Sequence, residues 1–240
     1  MTFDLPFTIY TLLSDRYRRL SCPATAQLLQ EIAEMHSTDV GVGYHRLIQD
    51  NKIWVLTRVS YRYVGRYPQL DENVKLRTWS KGSNGLVATR EFEILSSMNE
   101  LLVAATSQWV LIDMTSRKAL RISDEYVSQY KINDRSALNF AAPRIMIPKE
   151  GMQLVKEMKV EFSSVDKAQH VNNAEYIRWI INTLTAEEQE RGVAGIDINY
   201  QMETRPDEEV KIYSMPCDNG YLFQITNPRG VSINAKVELR

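Results

Sequence analysis

The sequence predicts an α+β fold made of two copies of one module, each an antiparallel sheet wrapped around a long helix. Three matches recur in the same order along the chain. Residues 14–20, Ser-Asp-Arg-Tyr-Arg-Arg-Leu, lead into a helical stretch, and residues 166–171, Asp-Lys-Ala-Gln-His-Val, do the same in the second half. Residues 68–76, Pro-Gln-Leu-Asp-Glu-Asn-Val-Lys-Leu, are answered by residues 206–212, Pro-Asp-Glu-Glu-Val-Lys-Ile. Each is followed by a turn signal, Asn84-Gly85 and then Asn219-Gly220, opening further strand-like sequence. Ordered matches of this kind mark a duplication.

The elements follow from periodicity. In the first copy Pro23 sits near a helix start, where a missing N–H costs little. Leu28, Leu29, Ile32 and Met35 then form an apolar stripe. In the second copy Asn173, Ile177, Ile180 and Leu184 recur at helical spacing, with Glu175, Arg178 and Asn182 elsewhere on the wheel. Residues 54–59, 74–79, 88–94 and 102–112 are rich in β-branched and aromatic side chains and read as strands. Several alternate, as a sheet with one wet face requires. Residues 123–150 carry two prolines and no clear period, and are expected to cross the surface as a connection. The chain therefore divides into a first module at 1–122, a linker at 123–150 and a second module at 151–240.

Composition narrows the function classes. The 240 residues are 44% apolar and 25% charged, with a net charge of −1, so the chain is globular and carries no bulk affinity for nucleic acid. Cys22 and Cys217 stand far apart without metal-ligand spacing. That argues against a zinc site or a disulfide framework and fits a reducing cytoplasm. No window approaches eighteen apolar residues, and the amino terminus has no secretory pattern, so a soluble, cytoplasmic protein is expected.

Chemistry concentrates in residues 166–179. Asp166, His170, Asn172 and Asn173 fall within eight residues and open directly into an amphipathic helix. A helix start offers free N–H groups and the positive end of the dipole. His170, one of three histidines, marks a hydrolase site on this reading. Asp166 either caps the helix or orients the imidazole. Asn172 and Asn173 are helix-start residues whose backbone N–H groups are candidate oxyanion donors. In the first copy Arg19 lies where His170 lies in the second, so one site per chain is expected.

Several further stretches resemble the acyl-ACP thioesterases (acyl-acyl-carrier-protein hydrolases). They are Trp54-Val55-Leu56-Thr57-Arg58, Arg66-Tyr67-Pro68, Thr78-Trp79, the run Ala-Thr-Ser-Gln-Trp-Val-Leu-Ile-Asp at 105–113, His170-Val171-Asn172-Asn173 and Tyr176-Ile177-Arg178-Trp179. The resemblance implies a double hotdog fold. It also implies release of free fatty acid from acyl-acyl-carrier protein during fatty acid biosynthesis, with no cofactor and no metal. It places catalysis in the second module and the acyl pocket in the first. The family pattern Asp-x-Asn-x-His, with a later Glu next to Cys, maps onto Asp166, His170 and Glu203 here. Ala168 stands at the Asn position and Thr204 at the Cys position, so no cysteine nucleophile is available there. Glu203 is either a general base or a solvated carboxylate; strict alternation along residues 196–202 turns it away unless a bulge re-aims it. The Ala168 departure keeps a non-catalytic acyl-binding module in play, and acyl-CoA is the alternative substrate. Acyl carrier protein is acidic, so Arg16, Arg18, Arg19, Arg62 and Arg66 are candidate docking residues. A further homodimer is compatible with the pattern but not implied by it.

Overall fold

The computed structural model describes the backbone of all 240 residues and every side chain except that of Glu125. The first module runs β1 (Phe3–Thr8), α1 (Cys22–Asp39), α2 (Tyr44–Gln49), β2 (Lys52–Tyr63), β3 (Asn73–Ser83), β4 (Val87–Ser96) and β5 (Leu101–Asp113). A connection with one short helix, α3 (Asp124–Ser128), leads to the second module. That module runs β6 (Gln153–Lys159), α4 (Asn173–Ile181), α5 (Ala186–Arg191), β7 (Val193–Tyr200), β8 (Glu209–Cys217), β9 (Gly220–Asn227) and β10 (Gly230–Leu239).

The strand order is β1-β3-β4-β5-β2-β7-β10-β9-β8-β6, antiparallel throughout. Each half has the same internal order, and β2 pairs with β7 from Arg58 opposite Asn199 to Arg62 opposite Gly195. The two modules therefore share one continuous sheet. It wraps α1 and α4, which pack on each other over a single core including Leu20, Ile32, Tyr61, Ile177, Ile180 and Ile198. This is the double hotdog. Burying both helices against one another removes the apolar stripe of each from water, which is the main stabilising term.

The duplication reaches single residues. In both modules a 3-10 turn precedes a short bridge, Ser14 to Leu20 and Val165 to Val171. Arg18 and Gln169 both take a left-handed backbone, with φ of 63° and 62°. Ser21 caps α1 through the Ala24 N–H, and Asn172 caps α4 through the Ala174 N–H. The pairing of residues 68–76 with 206–212 sets Asp71 over Asp207, both at positive φ.

One expectation is corrected. The second module has no long helix: α4 stops at Ile181, and a Thr185/Glu188 capping box starts the separate α5. Leu184 is buried in the turn between them rather than on a helical stripe. The connection between the modules holds α3 and is fastened down. Asn199 grips it through the Ile145 N–H at 2.7 Å and the Pro143 carbonyl at 2.8 Å. Arg135 stacks on Trp79 at 4.1 Å and pairs with Glu93.

Candidate active site

His170 lies on the tight turn that enters α4, with its side chain 29% exposed. Asp166 builds that turn. Its Oδ1 accepts from the Ala168 N–H at 2.8 Å, its Oδ2 accepts from Asn172 Nδ2 at 3.3 Å, and its N–H donates to the His170 carbonyl. Among the described residues no bond joins the Asp166 carboxylate to the imidazole. The carboxylate beside the ring is Glu203, whose Oε1 stands 3.2 Å from His170 Nε2. Asp166 is thus a turn-building residue, neither the cap of α4, which is Asn172, nor the partner of the imidazole, and Glu203 stands in the partner position instead.

Glu203 reaches the ring because strand β7 ends three residues earlier, at Tyr200. The N–H groups of Gln201 and Met202 both turn to the Ser232 carbonyl, which breaks the alternation and swings the next residue round. Buried Thr204 anchors the loop. Its Oγ1 bonds Ser232 Oγ at 2.8 Å and its carbonyl accepts from the Val171 N–H at 2.9 Å. The residue at the family's Cys position is therefore a structural pin.

Cations crowd Glu203. Arg117, from the loop after β5 of the first module, donates to its Oε2. Arg205 stands 3.6 Å from its Oε1, and Arg229 and Asn227 donate to its carbonyl at 2.6 and 3.1 Å. Lys167 lies over the Tyr44 ring of α2, 4.2 Å from the centroid. The site is thus shared between modules. Arg117, Arg205, Arg229 and Tyr44 escape a sequence reading, because loop arginines carry no period and because Arg117 and Tyr44 come from the other module.

Asn172 is spent on the cap and on Asp166. Asn173 is the first residue of α4. Its carbonyl accepts from Tyr200 Oη at 3.1 Å, while its backbone N–H and side-chain amide have no partner among the described residues. Asn173 is the better placed of the two to supply an oxyanion donor.

The equivalent place in the first module is closed to such chemistry. Arg19 replaces the imidazole and Tyr67 replaces Glu203. The Arg19 Nε donates to Asp15 Oδ2 at 3.0 Å, and its Nη atoms donate to the Glu190 and Gln189 carbonyls at the end of α5. The guanidinium lies 4.6 and 4.9 Å from the Tyr17 and Tyr67 ring centroids. Of the other candidate docking arginines, Arg62 forms a bidentate pair with Asp197 at 2.9 Å, and Arg66 is held by Glu72 and Glu100. Arg62 is on β2 but Arg66 is beyond it, so the two share no strand face. Arg16 and Arg18 are exposed, on the first-module turn rather than beside His170.

Comparisons with known proteins give the family. The family model described as acyl-ACP thioesterase N-terminal domain matches residues 1–130, and that described as its C-terminal domain matches residues 148–236. An oleoyl-acyl carrier protein thioesterase of Arabidopsis thaliana is 27% identical over 237 residues, covering 89% of this chain and 63% of its own length. The chain thus spans less than two thirds of that relative. Two solved structures superpose over all of this chain. One is an acyl-ACP thioesterase from Bacteroides thetaiotaomicron (TM-score 0.91, 21% identity, 98% of that chain). The other is a 12:0-ACP thioesterase from Umbellularia californica (TM-score 0.88, 20% identity, 97% of that chain). With both halves matched in order and the fold shared end to end, the chain belongs to the acyl-ACP thioesterase family.

Proposed function

We propose that this protein hydrolyses the thioester of acyl-acyl-carrier protein and releases a free fatty acid. The observation that carries the reading is the His170–Glu203 pair at the start of α4, 3.2 Å apart, in a chain of this family. With Nε2–H directed at Glu203, Nδ1 keeps the lone pair. His170 then takes a proton from water as its oxygen attacks the thioester carbonyl, and Glu203 stabilises the imidazolium. The Asn173 N–H meets the oxyanion. The C–S bond breaks, and the imidazolium returns the proton to the leaving thiolate. Arg117 and Arg205 hold the Glu203 carboxylate in register.

On this reading the acyl chain enters the first module. A cavity of about 100 Å³ lies between α1 and the sheet, lined by Ala33, Trp54, Ala88 and Trp109 among others. The cations that support docking of an acidic carrier are Lys167 and Arg205, both exposed beside the site; Arg19, Arg62, Arg66 and Arg117 are committed internally, and Arg229 is paired with Glu208. Ala168 favours a second reading, an acyl-binding module with a weakened site. Free-thiol release from a panel of acyl-carrier-protein and acyl-CoA substrates separates the two. Hydrolysis by the wild type, stronger on the carrier protein and raised in Ala168→Asn, is expected. Tight acyl-carrier binding with no thiol released by either form supports the binder instead.

A further inference from the structure

The first-module cavity is not a purely apolar sleeve. Arg90, on β4, lines it and is 8% exposed. Its guanidinium is satisfied by neutral groups only. Nη1 lies 2.9 Å from His36 Nδ1 and 3.3 Å from Thr78 Oγ1, and Nη2 lies 3.4 Å from Ser37 Oγ. Its Cζ sits 5.2 Å from the Tyr130 ring centroid. His36 is no counter-ion: burial and the Arg90 charge press its pKa down to about 4, so it is a neutral acceptor. Among the described residues no carboxylate comes within 4.0 Å of the guanidinium. A buried cation without an ion-pair partner is costly. Glu34 lines the same cavity from α1, its Oε1 held by the Tyr44 N–H at 2.7 Å. The cavity wall thus carries a donor and an acceptor of opposite charge, between the apolar faces of Trp54 and Trp109.

A saturated acyl chain would seal both charged groups from water and offer neither a further hydrogen bond. A carboxylate would answer Arg90 but oppose Glu34. A neutral hydroxyl accepts from one and donates to the other. We propose that this cavity selects acyl groups carrying a hydroxyl on the segment that reaches α1, with Arg90 and Glu34 as the specificity-determining pair. The inference rests on the hydrolase reading for its substrate class, and its test separates the two.

Two sets of acyl-carrier-protein thioesters of matched length, one unsubstituted and one hydroxylated at the far end, are compared over several lengths. At the length that reaches the cavity, kcat/KM is expected to favour the hydroxylated chain by about tenfold or more, the scale of a hydrogen bond to a charged group. Arg90→Met should abolish that preference. Glu34→Gln, which keeps the Oε1 acceptor for Tyr44, should reduce it several-fold and serves if Arg90→Met does not fold. A wild type that prefers unsubstituted chains at every length overturns the inference and leaves hydrolysis standing. If neither set is turned over, the hydrolase reading fails. Trp54 and Trp109 emission, titrated with amide-linked forms of the same carriers, then decides: tighter binding of the hydroxylated chain supports the inference, and equal or weaker binding overturns it.

Discussion

His170 and Arg19 hold the same position in the two modules, and their neighbours decide which one can do chemistry. Arg19 is consumed by Asp15 and by two helix-end carbonyls, whereas His170 faces one carboxylate and solvent. The Asp-to-His spacing in the sequence pointed at the turn that sets His170 beside Glu203. Asp166 takes neither role the sequence offered, helix cap or ring partner, because an aspartate two residues before a backbone N–H closes an Asx turn more readily than it reaches a ring four residues on. Ala168 is the donor in that turn, so an asparagine there would keep the backbone bond and add an amide. Arg117 yields a prediction at this scale. Removing it should lower kcat by about tenfold or more while changing KM little, since it acts on Glu203 rather than on the acyl chain. Steady-state kinetics of Arg117→Ala check this, and Arg117→Lys should recover part of the loss. A rise in KM alone would make Arg117 a docking residue instead.

At the scale of elements, α1 and strands β2 to β5 were legible because their apolar periods are long, whereas β1 and β6 drew no strand assignment. The break between α4 and α5 was not, since Thr185 and Glu188 act through a cap that a periodicity count overlooks. The carboxyl end of α1 carries a pH dependence. His36 is buried there, stacked 5.3 Å from Phe3 and bonded to Arg90. Burial first, and the Arg90 charge second, lower its pKa from 6.5 to about 4. Between those values the unfolded chain binds the extra proton, so stability is full above pH 6.5 and falls as the pH drops towards 4. The loss amounts to on the order of 2–3 kcal/mol. Urea midpoints at pH 7 and pH 4.5 measure it. His36→Gln should lose less over that interval than the wild type, and an equal loss would remove His36 as the cause.

Across the whole molecule, the duplication was legible, but the junction that makes one sheet of two modules was not. Nothing in the composition of β2 or β7 distinguishes a strand that closes a module from one that joins two. The junction is reinforced by Arg62 and Asp197, whose carboxylate is 5% exposed. Arg62→Ala would leave that carboxylate buried and unpaired, at a cost of about 3–5 kcal/mol, read as a lowered denaturation midpoint. A change within a few tenths of a kcal/mol would show that water reaches Asp197 and that the junction stands on its strand pairing alone. The same junction brings Arg117 of the first module to Glu203 of the second, so the site depends on the assembled pair of modules.

The most direct test of the central claim is a double-mutant cycle on thiol release from acyl-carrier protein with His170→Ala, Glu203→Gln and the pair together. If the two residues act as one catalytic unit, each single change lowers kcat by about 10²–10⁴-fold and the double variant is little worse than either alone. Wild-type turnover that survives the His170 change, or effects that multiply in the double variant, would contradict a His170–Glu203 site.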